Sequence, residues 1–230
     1  MTEERPLTTE TFLANADHTL LAPETTRAQL DAFIESAVAL GVARVCVSPT
    51  LIPADKRGLE IVTVVGFPTG VHSAEVKAFE AAQAVEAGAD EIDMVVNPGL
   101  LQAGDWEALE DEIRAVRRAV PASVLKVILE TAALTDEQTE AACLASEAAG
   151  ADYVKTSTGF HAAGNATTGA VRVMSATVGD RLGVKASGGI RTAEAARRMW
   201  RAGATRFGIS STEPIVKQWD SSDEGEGSGY

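Results

Sequence analysis

The chain has 230 residues, of which 45% are hydrophobic and only 5% aromatic, and its formal net charge is −13. This length and apolar content allow one large domain with a substantial core, packed mainly by Ala, Val, Leu and Ile. The acidic balance argues against nucleic-acid binding, which needs a basic face, and against docking on an anionic membrane.

Targeting and redox signals favour the cytoplasm. No apolar run approaches the about 18 residues of a membrane span, and the first residues hold no apolar signal core. The two cysteines, Cys46 and Cys143, provide neither a disulfide framework nor zinc-ligand spacing. We therefore expect a protein of a reducing cytoplasm.

Short apolar segments alternate with amphipathic, alanine-rich segments along the chain. The eight predicted strands are Asp17–Leu21, Arg44–Val47, Ile61–Gly66, Glu91–Val96, Val124–Glu130, Tyr153–Ser157, Val184–Ser187 and Arg206–Ile209. The predicted helices are Arg27–Leu40, Ser73–Ala87, Trp106–Ala119, Asp136–Ala149, Thr168–Val178, Ala193–Ala202 and Thr212–Gln218. The linker between strands two and three contains Pro49, Pro53 and Gly58, which predicts only a brief or irregular helix there.

A recurring unit supports a closed barrel. The segments EAGADEIDMVV, AAGADYVKTS and RAGATRFGIS each end a helix at Ala-Gly-Ala and begin a strand, with Gly88, Gly150 and Gly203 in the left-handed conformation. Repeated βα units with apolar strands predict a parallel sheet covered by helices. Eight units in one chain favour an α/β fold of the (β/α)8 TIM-barrel class. A doubly wound sheet is the alternative, but no Gly-x-Gly-x-x-Gly follows the first strand.

We expect one domain over residues 1–219, followed by a flexible tail over residues 220–230. The tail sequence, DSSDEGEGSGY, is acidic and rich in Gly and Ser, a composition that cannot bury enough apolar surface to order itself.

Charged residues interrupt four of the predicted strands, although charges are rarely buried without a role or a partner. They are Glu91 and Asp93 in EIDMVV, Lys126 and Glu130 in VLKVILE, Lys155 in DYVKTS and Lys185 in GVKASGG. Because strand side chains alternate between faces, Asp93 and the three lysines can all point into the barrel. Lys155 and Lys185 lie near strand ends, where this fold places catalytic groups.

This arrangement permits imine chemistry. A lysine must lose its proton to attack a carbonyl, and burial together with a second nearby cation lowers its pKa towards neutrality. Lys155 and Lys185 form such a pair, and Asp93 can move a proton directly or through water. The pattern alone does not decide which lysine is the nucleophile, and a purely structural ion-pair network would produce the same pattern.

Two loops predict a phosphate site. SGGIRT follows strand seven and GISST follows strand eight, and both lead into helices whose free N–H groups can bind phosphate. Barrels often hold phosphate at these two loops. Gly188 and Gly189 allow close backbone approach, Ser210 and Ser211 offer hydroxyls, and Arg191 adds charge.

These residues lie in segments that resemble the deoxyribose-phosphate aldolase family. The matching segments are DHTLL, VCVSP, VGFPTG, EIDMVVN, LKVILET, YVKTSTGF, VKASGGIRT and GISS, from Asp17 to Ser211. The resemblance implies reversible cleavage of 2-deoxy-D-ribose 5-phosphate to D-glyceraldehyde 3-phosphate and acetaldehyde, with no metal and no cofactor. It implies that Lys155 forms the Schiff base, that Lys185 lowers its pKa and that Asp93 is the acid–base group.

The resemblance also implies binding roles. Lys126 would link charges in the interior, and Asp17, Thr19 and Cys46 would line the sugar end of the pocket. The implied phosphate contacts are Gly159, Gly188, Gly189, Gly208, Ser210 and Ser211. Some members carry a phosphate-binding lysine where this chain has Phe160, and some end in a tyrosine that assists proton transfer, a role that would fall on Tyr230.

Three interpretations follow from the sequence. The first is this Schiff-base lyase, expected to act as a homodimer or a higher homo-oligomer. The second is another Schiff-base barrel, such as a fructose-bisphosphate aldolase or a transaldolase. The third is a non-catalytic barrel that binds a sugar phosphate. The three histidines, His18, His72 and His161, are scattered along the chain, which disfavours a zinc-dependent aldolase.

Overall fold

The computed structural model describes residues 6–223, with the backbone alone for 220–223, and has eight strands in a closed parallel barrel. The strands are β1 (Ala16–Leu20), β2 (Arg44–Val47), β3 (Glu60–Val65), β4 (Glu91–Val95), β5 (Val124–Ile128), β6 (Tyr153–Lys155), β7 (Gly183–Ser187) and β8 (Arg206–Ile209). Each strand pairs with the next in the sequence, and β8 pairs with β1. The predicted (β/α)8 barrel is confirmed.

Helices surround the barrel. They are α1 (Thr9–Ala14), α2 (Arg27–Leu40), α3 (Ala74–Glu86), α4 (Pro98–Ala103), α5 (Trp106–Ala119), α6 (Asp136–Ala148), α7 (Thr168–Val178), α8 (Ala193–Arg201) and α9 (Thr212–Asp223). The linker between β2 and β3 holds only the 3-10 turn Pro49–Leu51, which confirms the prediction of a brief helix there.

The sequence patterns missed two short helices, α1 and α4. Each has six residues, too few for a clear amphipathic repeat, so only its capping residues could have revealed it. Thr8 caps α1 by accepting from the N–H of Thr11, and Asn97 caps α4 ahead of Pro98. The strands β5 and β6 are also shorter than predicted, and Glu130, just beyond β5, has a left-handed φ of 57°.

Side-chain caps fix where the longer helices begin. Thr26 and Gln29 form a capping box at the start of α2, and Thr135 and Gln138 form another at the start of α6. The three repeated glycines, Gly88, Gly150 and Gly203, have φ between 84° and 110°, as predicted. These left-handed turns stop each helix and return the chain to the next strand.

The barrel strands bury two different faces. The outward face is apolar, and Val45, Ile92 and Phe207 belong to one continuous core with the helices. The inward face carries the buried charged side chains, together with a small apolar cluster of Cys46, Val62 and Val64. The main core therefore lies between barrel and helices, and the barrel interior is left for charged groups.

The C-terminal helix α9 is longer than predicted. It continues to Asp223, past the expected end at Gln218 and past the expected domain boundary at 219. Trp219 of α9 is buried against Phe12 of α1, and this anchored turn lets the helix propagate into weak helix formers. The flexibility of 220–230 stays a prediction, and residues 224–230, including Tyr230, lie outside the described residues. No helix in the described part of the chain is long and apolar enough to cross a membrane.

His18 links the barrel to two helices. Its ring stacks on Phe33 of α2 at 4.3 Å between centroids, and its Nδ1 lies 2.8 Å from Thr212 Oγ1 at the start of α9. Burial lowers the pKa of His18 from 6.5 to about 4, against the opposing charge of Glu213. The histidine is therefore neutral in the folded protein at neutral pH.

We predict an acid destabilisation that is specific to His18. Because the unfolded state binds the proton first, the free energy of unfolding should fall as pH drops from 6.5 to about 4, by on the order of 3 kcal/mol. His18→Gln should remove this slope, measured by urea denaturation at several pH values, and the exposed His72→Gln is the matched control. An identical slope in His18→Gln would contradict the assignment.

Candidate active site

Asp93 is the centre of an ionic network inside the barrel. Its Oδ2 lies 2.7 Å from Lys155 Nζ and 2.6 Å from Lys185 Nζ, and its Oδ1 lies 2.8 Å from Lys126 Nζ. Strand register explains this gathering, because Asp93 is beside Lys126 across β4–β5 and Lys155 is beside Lys185 across β6–β7. All four side chains are at most 4% exposed.

Further ion pairs extend the network below Asp93. Asp17 of β1 pairs with Lys185 and, at 3.0 Å, with Arg206 of β8. Glu91 of β4 lies 2.6 Å from Lys126 Nζ and 3.5 Å from Arg206. Strand β3 contributes the apolar residues Val62 and Val64 to this interior, and its one charged residue on that face, Glu60, pairs with Arg44 at the lower end.

The network lowers the pKa values of Asp93 and Asp17. Burial alone would raise the pKa of Asp93, but Lys126, Lys155 and Lys185 outweigh it and hold the pKa well below its ordinary value. The pKa of Asp17 is lowered in the same way to about 2, against burial, chiefly by Lys185. Both aspartates are therefore carboxylates in the resting protein.

The pKa values of the two lysines at the strand ends, Lys155 and Lys185, are shifted in opposite directions. Burial lowers the pKa of Lys155, the charge of Asp93 opposes this and that of Lys185 reinforces it, so the net shift is downwards. Burial also acts on Lys185, but Asp17 and Asp93 outweigh it and raise its pKa. Lys155 is thus the readier of the two to become a neutral amine, and Lys185 is held as an ammonium.

A pocket of about 500 Å³ opens above this network at the carboxyl ends of the strands. Lys155 lies at its floor. Its walls come from the loops after β1, β6, β7 and β8. They include Thr19, Gly159, Phe160, Asn165, Gly188, Gly189, Arg191, Gly208 and Ser210. Lys155 therefore joins the buried charges to open space.

A buried carboxylate shapes the loop after β6. Glu130 accepts a 2.6 Å hydrogen bond from Thr158 Oγ1 and longer ones from the Thr158 N–H. Thr158 Oγ1 in turn accepts from the N–H of Phe160. The Phe160 ring is 52% exposed at the rim and meets Phe67, from the loop after β3, edge-on at 5.3 Å.

The loop after β7 depends on two consecutive glycines. Gly188 and Gly189 have φ of 86° and 76°, a region that L side chains rarely adopt. A Cβ at Gly188 would lie 2.6 Å from Asn165 Oδ1, so a side chain there would also force Asn165 to move. The main chain is consequently bare where it faces the pocket.

The predicted residues separate into two groups. Lys155, Lys185, Asp93, Lys126 and Asp17 meet in the ionic network, and Cys46 lies buried beside them, where burial raises the pKa of its thiol to about 11. The pocket is lined by Thr19, Lys155, Gly159, Gly188, Gly189, Gly208 and Ser210. Its lining, as far as the chain is described, does not include Asp17, Cys46, Lys126 or Ser211.

Several residues of the site were not predicted from the sequence as site residues. Arg206 occupies an inward position of β8, two residues before Gly208, and a charge at that position was a usable signal. Asn165 and Thr158 lie in loops with no periodicity, so only the three-dimensional contacts reveal them.

Comparison with known proteins agrees with this geometry. The family model described as DeoC/LacD family aldolase matches residues 11–212. The chain is 55% identical over 217 residues to a deoxyribose-phosphate aldolase of Kocuria rhizophila, covering 94% of this chain and all of that one. It is 57% identical over 204 residues to the protein of the same name from Corynebacterium diphtheriae, covering 88% and 94%.

A solved structure is similar over the same region. Deoxyribose phosphate aldolase from Aeropyrum pernix, described as having a unique tetrameric structure, superposes with a TM-score of 0.85 at 32% identity. The superposition covers 93% of this chain and 92% of that one.

We predict that Lys126 mainly stabilises the network. Lys126→Met leaves Glu91 and Asp93 buried with one cation fewer, so the free energy of unfolding should fall by about 3–5 kcal/mol. Urea denaturation at neutral pH measures this. Lys217→Met, which breaks an exposed pair with Glu213, is the matched control and should have little effect. Equal effects of the two substitutions would refute the prediction.

Proposed function

The chain belongs to the DeoC/LacD family of aldolases, and we propose that it cleaves 2-deoxy-D-ribose 5-phosphate reversibly to D-glyceraldehyde 3-phosphate and acetaldehyde through an imine on Lys155. One observation carries the assignment of the nucleophile. Of the lysines in the described interior network, Lys155 is the one that also lines the pocket. A neutral amine at that point can reach a carbonyl.

The reaction begins with Lys155 attacking the aldehyde carbon, C1, of the open-chain sugar. The carbinolamine loses water and gives an iminium, which acts as an electron sink. Removal of the proton of the C3 hydroxyl then breaks the C2–C3 bond and moves its electron pair to the nitrogen, which yields glyceraldehyde 3-phosphate and an enamine. Protonation of the enamine at C2 and hydrolysis release acetaldehyde and restore the amine.

Asp93 is proposed as the acid–base group. With three lysines around it, the resting carboxylate has a low pKa and is a weak base. When the C2–C3 bond breaks, the iminium loses its positive charge as it becomes an enamine. Asp93 then has one neighbouring cation fewer, so its affinity for a proton rises in the step that releases one. Lys185, held as an ammonium by Asp17 and Asp93, lowers the proton affinity of the free Lys155 amine before the imine forms.

The phosphate would bind at the loops after β6, β7 and β8. The bare main chain of Gly159, Gly188 and Gly189 supports this, and so does the hydroxyl of Ser210 beside the pocket. Phe160 contributes no charge at its position, so Arg191, which lines the same pocket, is the proposed source of charge compensation. Ser211, Gly208 and the sugar contacts Asp17, Thr19, Cys46 and Lys126 remain proposed binding residues, as does Tyr230 for proton transfer.

We also propose that the protein acts in the cytoplasm as a homo-oligomer, with phosphorylated sugar and acetaldehyde as its small-molecule partners. The free, buried state of Cys46 and Cys143 is compatible with a reducing compartment. The tetrameric description of the Aeropyrum pernix relative supports an assembly of several copies.

The nucleophile is tested by covalent trapping. Acetaldehyde with cyanoborohydride should add one ethyl group to Lys155, located by peptide mass spectrometry. Lys155→Arg should show neither the adduct nor cleavage of 2-deoxy-D-ribose 5-phosphate, because a guanidinium cannot form the imine. An active wild-type protein with no adduct on Lys155 would refute the mechanism, and cleavage of fructose 1,6-bisphosphate instead would point to another aldolase.

The phosphate site is tested by Gly188→Ala. A side chain at this left-handed position costs about 1–2 kcal/mol and collides with Asn165, so KM for 2-deoxy-D-ribose 5-phosphate should rise about tenfold. The constants for unphosphorylated 2-deoxy-D-ribose should change much less. Gly58→Ala has the same backbone strain at φ 82° in open space away from the pocket, and it controls for strain alone. Equal losses on both sugars would contradict the assignment.

A further inference from the structure

The interior network contains one more cation than carboxylates. Glu130, just beyond β5, is also buried, but it bonds Thr158 and makes no described ion pair with the network. Among the described residues, the buried charged side chains that ion pairs join inside the barrel are the carboxylates Asp17, Glu91 and Asp93 and the cations Lys126, Lys155, Lys185 and Arg206. Each of these side chains is at most 7% exposed. At the lower end, Arg44 lies 3.3 Å from Glu91 and 2.6 Å from the half-exposed Glu60, so this further cation and carboxylate together leave the balance unchanged.

An unpaired charge in such an interior is costly, so the network is favoured when one cation gives up its proton. Arg206 cannot do so, since guanidinium groups stay protonated in proteins. Lys185 and Lys126 each lie within 4 Å of at least two carboxylates, whereas Lys155 has Asp93 as its one described carboxylate partner. Lys155 is therefore the cation expected to give up its proton.

We propose that Glu91 and Arg206 are positioning residues that set the protonation of Lys155 through this charge balance. Neither lines the pocket. Glu91 reaches Lys155 through two shared ion pairs, first to Lys126 at 2.6 Å and then through Asp93 at 2.8 and 2.7 Å. Arg206 reaches it through Asp17 and Lys185.

The two residues act in opposite directions. Without the charge of Glu91, Asp93 is drawn more strongly towards Lys126 and neutralises Lys155 less, so Lys155 loses its proton at a lower pH. Without the charge of Arg206, three cations face three carboxylates, and Lys155 keeps its proton to a higher pH. The proposal rests on the proposed function only in taking Lys155 as the nucleophile.

Other side chains of the barrel interior come from β2, β3 and β6. Strand β2 contributes Cys46, whose thiol has a pKa raised to about 11 by burial. Strand β3 contributes Val62 and Val64, and β6 contributes Tyr153, whose hydroxyl lies 3.4 Å from Arg206.

The experiment compares the pH dependence of acetaldehyde trapping on Lys155 in four proteins: wild type, Glu91→Gln, Arg206→Met and the double variant. The reagents are the same throughout, so their own pH dependence cancels. Glu91→Gln should move the acid limb of trapping down and Arg206→Met should move it up, each by roughly one pH unit for one charge at an effective dielectric of about 20. The double variant removes one charge of each sign and should return the limb close to that of wild type.

Opposite shifts that cancel support the proposal, because damage to the fold would not cancel. The proposal is wrong if the acid limbs of both single variants stay within about 0.3 pH unit of wild type. It is also wrong if both limbs move in the same direction and the shifts add in the double variant. If Arg206→Met does not fold, Arg206→Gln and the charge-preserving Arg206→Lys take its place, with a shift expected only for the glutamine. Failure of wild type to form any adduct would instead refute the proposed function.

Discussion

The structure depends on a set of ion pairs that fills the inside of the barrel. Barrels of this class usually pack their interior with branched apolar side chains. Here Asp17, Glu91 and Asp93 alternate with lysines and Arg206 instead. Buried charges are tolerated only when each has close partners, so the strands must hold their register within narrow limits. The apolar core outside the barrel supplies that rigidity, since it packs the opposite face of the same strands.

The same ion pairs determine both the stability of the barrel and the reactivity of its lysines. The carboxylates that hold the lysines in place also decide which lysine is neutral, because among the described residues Lys185 has two close acid partners and Lys155 has one. Lys155 is therefore reactive because it has fewer carboxylate partners than the other lysines of the network and lies at the pocket. The loops at the strand ends have a different role. Gly188, Gly189 and Glu130 shape the pocket and make no described ion pair with the network.

The sequence was sufficient for the barrel and for the central charges. Alternation and the repeated Ala-Gly-Ala turns predicted all eight strands, and three lysines inside strands of a lysine-poor chain marked the interior. The pattern could not rank those lysines, and only the family resemblance selected Lys155. Contacts between distant segments were beyond sequence reasoning. Arg206 reaches Asp17 across 189 positions of the chain, and the left-handed Glu130 organises Thr158 from another loop.

We infer that Lys155 loses its proton more readily than the other lysine at the strand ends, Lys185. The chain has only six lysines, so labelling them with 15N gives few Nζ signals to follow by NMR as pH is raised. We expect a signal, absent from Lys155→Arg, that titrates below the ordinary 10.5 while the Lys185 signal remains that of an ammonium. A Lys155 that stays protonated beyond pH 10.5, or a Lys185 that deprotonates first, would contradict it.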